Sequence, residues 1–140
     1  MGQRIRQAYG ADVTVRKIVV DTDIIIDHLT TTEPVSVLRR VMKEYFCYTT
    51  VFNAAELFAA ARTKKESRTV EDALHAMKIL GLNGKSAKNI AGTLRAARGA
   101  MNGLIAGVCI ESRLPIVTMD PKRFAGIKKL DVITIEKMLQ

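Results

Sequence analysis

The chain has 140 residues, about the length of one domain, and 48% of them are hydrophobic, which excludes an intrinsically disordered protein. Its 22 Lys and Arg residues against 14 Asp and Glu residues give a net charge of +8. No apolar run approaches the ~18–20 residues of a membrane-spanning helix. The two cysteines, Cys47 and Cys109, belong to no C-x-x-C or Cys/His cluster. We therefore expect a soluble, basic, cytoplasmic protein with no membrane partner.

The first residues carry arginines but little apolar periodicity, so we predict a loosely ordered extension over 1–16 and a single domain over 17–140. From Lys17 onward, apolar runs typical of buried strands alternate with segments of helical periodicity. Strands are predicted at 18–20, 46–51, 116–119 and 132–135. Helices are predicted at 24–29, at 33–45 with Pro34 in the first turn, after the N-caps Asn53 and Thr69, from Ser86, and at 101–112. This alternation predicts a three-layer α/β/α fold with a central parallel sheet of about four to five strands.

Acidic residues lie at or just beyond the ends of three predicted strands. Asp21 follows the first strand, Glu56 lies one helical turn after the second, and Asp120 ends the third. In an open parallel sheet, ligands bind at the carboxyl ends of the strands. Carboxylates that meet there repel each other unless a cation lies between them. The pattern therefore predicts a site for Mg²⁺ or Mn²⁺, held by oxygen ligands alone.

Each acid also has a purely structural interpretation. Glu56 could complete a capping box with Asn53, and Asp120 could belong to an ordinary Asp-Pro turn or helix start. Asp21 is harder to explain in this way, because an unpaired charge inside an apolar run is costly to bury. Asp23 could support the site from behind or act as a helix N-terminal acid. The coincidence of three acids at three strand ends favours the metal site.

Four segments resemble the motifs of the PIN domain, and specifically of VapC-type toxins from prokaryotic toxin–antitoxin pairs. In chain order they are V-V-D-T-D-I-I-I-D, T-V-F-N-A-A-E-L, M-N-G-L-I-A and L-P-I-V-T-M-D-P-K-R-F. The resemblance runs from about residue 17 to 135, and the last two acid positions, 102 and 120, lie 18 residues apart as in the family. It implies a metal-dependent ribonuclease in which Asp21, Glu56 and Asp120 hold the metal. It also implies a homodimer and an antitoxin that covers the acidic pocket.

Position 102 departs from the family pattern, because Asn102 stands where the family has its third carboxylate. An amide can still offer a carbonyl oxygen, but it brings one negative charge less and an NH₂ group that repels a cation. Asn102 is thus either a natural variation that weakens metal binding or a substitution that silences the nuclease. The resemblance nevertheless places it in the catalytic set with Asp21, Glu56 and Asp120.

The positive charge is concentrated in one stretch. Residues 73–110 contain no Asp or Glu but five Lys and Arg residues. We expect four of them to bind the phosphate backbone of RNA: Lys85, Lys88, Arg95 and Arg98. The alternative is a solvated basic face or a surface for an acidic partner.

The sequence thus favours a metal-dependent endoribonuclease that is the toxin of a type II toxin–antitoxin pair. The alternative is a non-cleaving PIN-fold protein that binds RNA or an antitoxin, which Asn102 would favour. A nucleotide-binding α/β domain is disfavoured, because neither G-x-G-x-x-G nor a complete P-loop motif occurs.

Overall fold

The computed structural model describes residues 2–6 and 12–139. A six-stranded sheet forms its centre, with strands β1 Gly2–Arg6, β2 Asp12–Val20, β3 Tyr45–Thr50, β4 Lys78–Leu80, β5 Ile116–Thr118 and β6 Val132–Thr134. Five strands run parallel in the order β4-β3-β2-β5-β6, and β1 pairs antiparallel with the first part of β2. The predicted parallel sheet and three-layer α/β/α fold are therefore confirmed.

Helices cover both faces of this sheet. They are α1 Thr22–Thr30, α2 Val37–Met42, α3 Val51–Ala60, α4 Lys64–Leu74, α5 Ala87–Ala96, α6 Ala100–Glu111 and α7 Ile135–Met138. Side chains alternate across the central strand β2, so that Ile18 and Val20 pack under α1–α4, whereas Val19 packs with Ile105 of α6. This alternation builds a separate hydrophobic core on each face. None of the described helices is long and apolar enough to cross a membrane.

Several predicted helix starts are wrong. The helix predicted to begin at 33 begins at Val37, where Ser36 is the N-cap, so Pro34 lies outside it. The N-cap of α3 is Thr50 instead of Asn53, and that of α4 is Thr63 instead of Thr69. Periodicity locates a helix, but several hydroxyl and amide side chains near its start can each cap it, and packing selects one.

The predicted strands all form, and the structure adds β4, whose three residues the periodicity did not separate from the preceding helix. The predicted boundary at Lys17 falls inside β2, which runs from Asp12. Residues 1 and 7–11 of the predicted extension lie outside the described residues. That 1–16 form a loosely ordered extension stays a prediction.

Candidate active site

The site is built around Asp21, which follows β2 and caps the N-terminus of α1. Its side chain is fully buried. Oδ1 accepts hydrogen bonds from the Thr22 backbone N–H (2.8 Å), from Asn53 Nδ2 (3.1 Å) and from Arg123 Nη1 (3.0 Å). Oδ2 lies 2.8 Å from the hydroxyl of Thr118, at the end of β5. Both oxygens are thus held, as a buried carboxylate requires.

Glu56 reaches the same place from α3. Its Oε1 accepts a hydrogen bond of 2.6 Å from the Thr22 hydroxyl, and its two oxygens lie 2.8 and 2.7 Å from Arg123 Nη2. The capping box of α3 is formed by Thr50 and Asn53, so Glu56 has no capping role. The interpretation of Glu56 as part of a capping box is therefore wrong, and its carboxylate contacts the residues of the site instead.

Arg123 joins these groups and is the residue that sequence reasoning missed. Besides its bonds to Asp21 and Glu56, its Nε donates to Asn102 Oδ1 at 2.7 Å. Nδ2 of Asn102 donates to the backbone carbonyl of Arg98 at 2.9 Å, which turns the amide oxygen toward the guanidinium. The available signal was a cation three residues after Asp120, in P-K-R-F. Its role depends on side-chain direction, which spacing does not specify.

Asp120 lies beside this cluster, since its backbone N–H donates to the Thr118 hydroxyl at 3.0 Å. It is exposed and precedes the 3-10 turn Pro121–Phe124, and its side chain makes no hydrogen bond or ion pair within the described residues. Asp23 contacts the same strand end, since its Oδ2 accepts from the Met119 N–H (3.0 Å) and lies 3.1 Å from the Thr118 hydroxyl. Its Oδ1 is buried and has no hydrogen-bond partner among the described residues.

The pKa shifts of Asp21 and Arg123 follow from their burial and from their proximity to each other. Burial raises the pKa of Asp21, while the charge of Arg123 and the hydrogen bond from Thr118 oppose the rise. Burial alone would lower the pKa of Arg123, but its hydrogen bond to Glu56 and the nearby carboxylates raise it. Arg123 therefore stays protonated and compensates the buried charge of Asp21.

The oxygens of Asp21, Glu56 and Asn102 all lie within hydrogen-bond distance of one guanidinium, so they converge on one cationic position. Two carboxylates and an amide oxygen are hard donors of the kind that Mg²⁺ and Mn²⁺ accept. No group of three or more His, Cys, Asp or Glu side chains that could hold a metal is found in the described part of the chain. The two carboxylates and the amide oxygen are nevertheless donors that suit a divalent cation, which would have to replace the Arg123 guanidinium.

The residues predicted to bind RNA lie on and around α5, and one of them, Arg98, contacts Asn102 through its backbone carbonyl. Lys85, Lys88, Arg95 and Arg98 are all exposed, and the Arg95 guanidinium lies against Gly92. Their accessibility is compatible with contacts to a phosphate backbone, and their role stays a prediction.

The fold and the pocket define an α/β domain with a carboxylate site at the carboxyl ends of its parallel strands. The chain resembles chains of a toxin–antitoxin complex from Klebsiella pneumoniae (18% identity, TM-score 0.66, 84% of this chain and 97% of that one). It also resembles VapBC-1 from nontypeable Haemophilus influenzae (20%, 0.68, 86% and 99%) and DNA-bound VapBC from Salmonella typhimurium (17%, 0.69, 86% and 98%).

The two VapBC complexes carry PIN-domain VapC toxins, so the chain has the PIN-like fold of such toxins, as its motifs indicated. At this level of identity, the likeness establishes the fold. No protein-family model matches the sequence, and no curated protein matches it either.

Proposed function

We propose that this chain is a metal-dependent endoribonuclease and the toxin of a type II toxin–antitoxin pair. The observation that carries the proposal is the convergence of Asp21, Glu56 and Asn102 on one cationic position within a PIN-like fold. Asp21 and Glu56 come from different strand ends, and their carboxylates would repel each other without a cation between them. A metal-dependent hydrolytic site for a phosphodiester uses hard oxygen ligands of this kind.

In this proposal Asp21, Glu56 and the Asn102 carbonyl oxygen hold Mg²⁺ or Mn²⁺, and Asp120 approaches from the exposed rim. When bound, the metal supplies an activated water and neutralises charge on the scissile phosphate. Asp21 is the rigid ligand, because its buried oxygens are fixed by three elements of the fold. Glu56 is more accessible and, like Asp120, would orient the attacking water in this proposal.

The wider surroundings fit the same proposal. Lys85, Lys88, Arg95 and Arg98 present exposed positive charge that would bind the RNA backbone without reading its bases. We propose that the protein works in the cytoplasm as a homodimer, and that an antitoxin covers the acidic pocket, since the similar structures are toxin–antitoxin complexes.

The test is cleavage of a labelled cellular RNA pool by the purified protein with Mn²⁺, with and without EDTA. We expect cleavage that EDTA abolishes and that Glu56→Gln lowers by on the order of 100-fold or more. Glu71→Gln, on the exposed face of α4, removes the same charge far from the pocket and should leave cleavage unchanged. Cleavage that persists in EDTA, or an equal loss in both variants, would overturn the proposal.

The second candidate is a non-cleaving PIN-fold protein that binds RNA or an antitoxin. Two observations favour it: Asn102 replaces a carboxylate of the family pattern, and Arg123 already supplies the pocket with a cation. RNA binding that falls steeply with salt, together with no cleavage in Mn²⁺, would select this alternative.

A further inference from the structure

We infer that Arg123 is the resident counter-ion of the acidic pocket, and that a divalent metal binds there only by displacing it. The inference rests on the proposed function, because it concerns the same metal ligands. It adds Arg123 to the site, a residue that lies within the fourth motif but is not one of its acids.

The contacts of Arg123 match those of a ligand in a binding site. Nη1 donates to Asp21, Nη2 to both oxygens of Glu56, and Nε to Asn102, at 2.7–3.0 Å. Each guanidinium nitrogen therefore faces one of the three side chains that would hold the metal. A metal and the guanidinium compete for the same lone pairs, so they cannot both occupy this position.

The fold presents Arg123 to the pocket. Arg123 lies on the 3-10 turn that follows β5, and Phe124, next to it, is buried in the core beside α6. The Arg123 guanidinium carbon lies 5.6 Å from the centroid of the Phe124 ring. The backbone of the turn is thus anchored, whereas the arginine side chain can leave by rotation about its own bonds. Its side chain is 16% exposed, so it has access to solvent.

The charge balance favours exchange for a metal. Asp21, Asp23 and Glu56 bring three carboxylates to this region, against the single positive charge of Arg123. Oδ1 of Asp23 is buried without a hydrogen-bond partner among the described residues. A divalent cation would neutralise the region more completely than a guanidinium does. Metal affinity should therefore be limited by the competition from Arg123, and not by a lack of donors.

The test measures Mn²⁺ affinity by isothermal titration of wild-type protein, Arg123→Gln and Lys122→Gln. Lys122 is the exposed neighbour on the same turn, so its variant removes the same charge without touching the pocket. We expect Arg123→Gln to bind Mn²⁺ at least about tenfold more tightly than wild type, and Lys122→Gln to bind about as wild type does. Arg123→Lys keeps the charge but loses the hydrogen bonds to all three side chains. Its Mn²⁺ affinity should therefore lie between those of wild type and Arg123→Gln.

Arg123→Gln leaves Asp21 buried without its ion-pair partner and can fail to fold, so a second measurement uses wild-type protein. The Nε–H resonance of Arg123, followed by ¹⁵N NMR during titration with diamagnetic Mg²⁺, should move as Asn102 is released. A matched resonance of Arg95, which is exposed on α5, should stay in place.

The outcomes separate this inference from the proposed function. Equal, measurable Mn²⁺ affinity of wild type and Arg123→Gln, or an unmoved Arg123 resonance at saturating Mg²⁺, would overturn the counter-ion role and leave the nuclease proposal standing. No Mn²⁺ binding by either folded protein would overturn both. Tighter binding by Arg123→Gln alone, with the resonance shift, would support both.

Discussion

Asn102→Asp restores the carboxylate that the family pattern has at this position, and the structure allows its effect to be worked out. The new carboxylate would turn the Arg123 Nε–H···O bond, in which only the donor is charged, into an ion pair, which is stronger by about 1 kcal/mol. It would also lose the bond that Asn102 Nδ2 donates to the Arg98 carbonyl, at a cost of about 1 kcal/mol. The two changes nearly cancel, so we expect the free energy of unfolding to change by less than about 1 kcal/mol.

The effect on metal binding should be larger. At a separation of about 4 Å and an effective dielectric constant of about 20, the Coulomb attraction of the added charge is about 4 kcal/mol larger for a divalent cation than for a monovalent one. The metal therefore gains more than the competing guanidinium does. Asn102 is half-buried, so solvent screens part of this difference. A tightening of at least about tenfold, or ~1.4 kcal/mol, is a conservative expectation.

The assay is a calorimetric Mn²⁺ titration of wild type and Asn102→Asp, followed by RNA cleavage at saturating metal. Asn89→Asp is the matched control, because Asn89 is exposed on α5 outside the pocket and the change adds the same charge. Cleavage should rise in parallel with affinity in Asn102→Asp. In the control, the Mn²⁺ affinity should stay at the wild-type value. If the two Asn→Asp variants bind Mn²⁺ equally, position 102 is no part of the cation site and the alignment of the third motif is wrong.

Two further predictions concern the buried framework. Asn53→Ala should lower the free energy of unfolding by about 3 kcal/mol in urea denaturation. The variant loses a fully buried amide that donates to Asp21 and completes the capping box of α3 with Thr50. A loss below about 1 kcal/mol would contradict this network. Burial raises the pKa of Cys47 to about 12 from its usual 9.0, so only the unfolded chain ionises this thiol between pH 8 and 10. Stability should therefore fall by about 1.4 kcal/mol more over that range in wild type than in Cys47→Ala, and parallel pH profiles of the two would show that the thiol is not shielded.

Local patterns in the sequence were sufficient to predict the fold class. The apolar runs at 18–20 and 116–117 form buried strands because their side chains pack on both faces of a sheet. The exact helix starts were not predictable in the same way. Thr50 and Asn53 can both cap a helix, and the choice depends on Asn53 being drawn into the buried contact with Asp21.

By itself, the sequence determined that Asp21 and Glu56 lie near the same edge of the sheet, because the carboxyl ends of parallel strands meet there. It also singled out Asn102 as the departure from the family pattern. Only the tertiary structure decided that Arg123 turns inward to bind Asp21, Glu56 and Asn102. The physical reason is that strand order predicts the position of the backbone to within a few ångströms. The direction of a long side chain, in contrast, depends on the charged groups around it. A buried carboxylate attracts the nearest cation able to reach it, and that cation comes from a part of the chain 102 residues away.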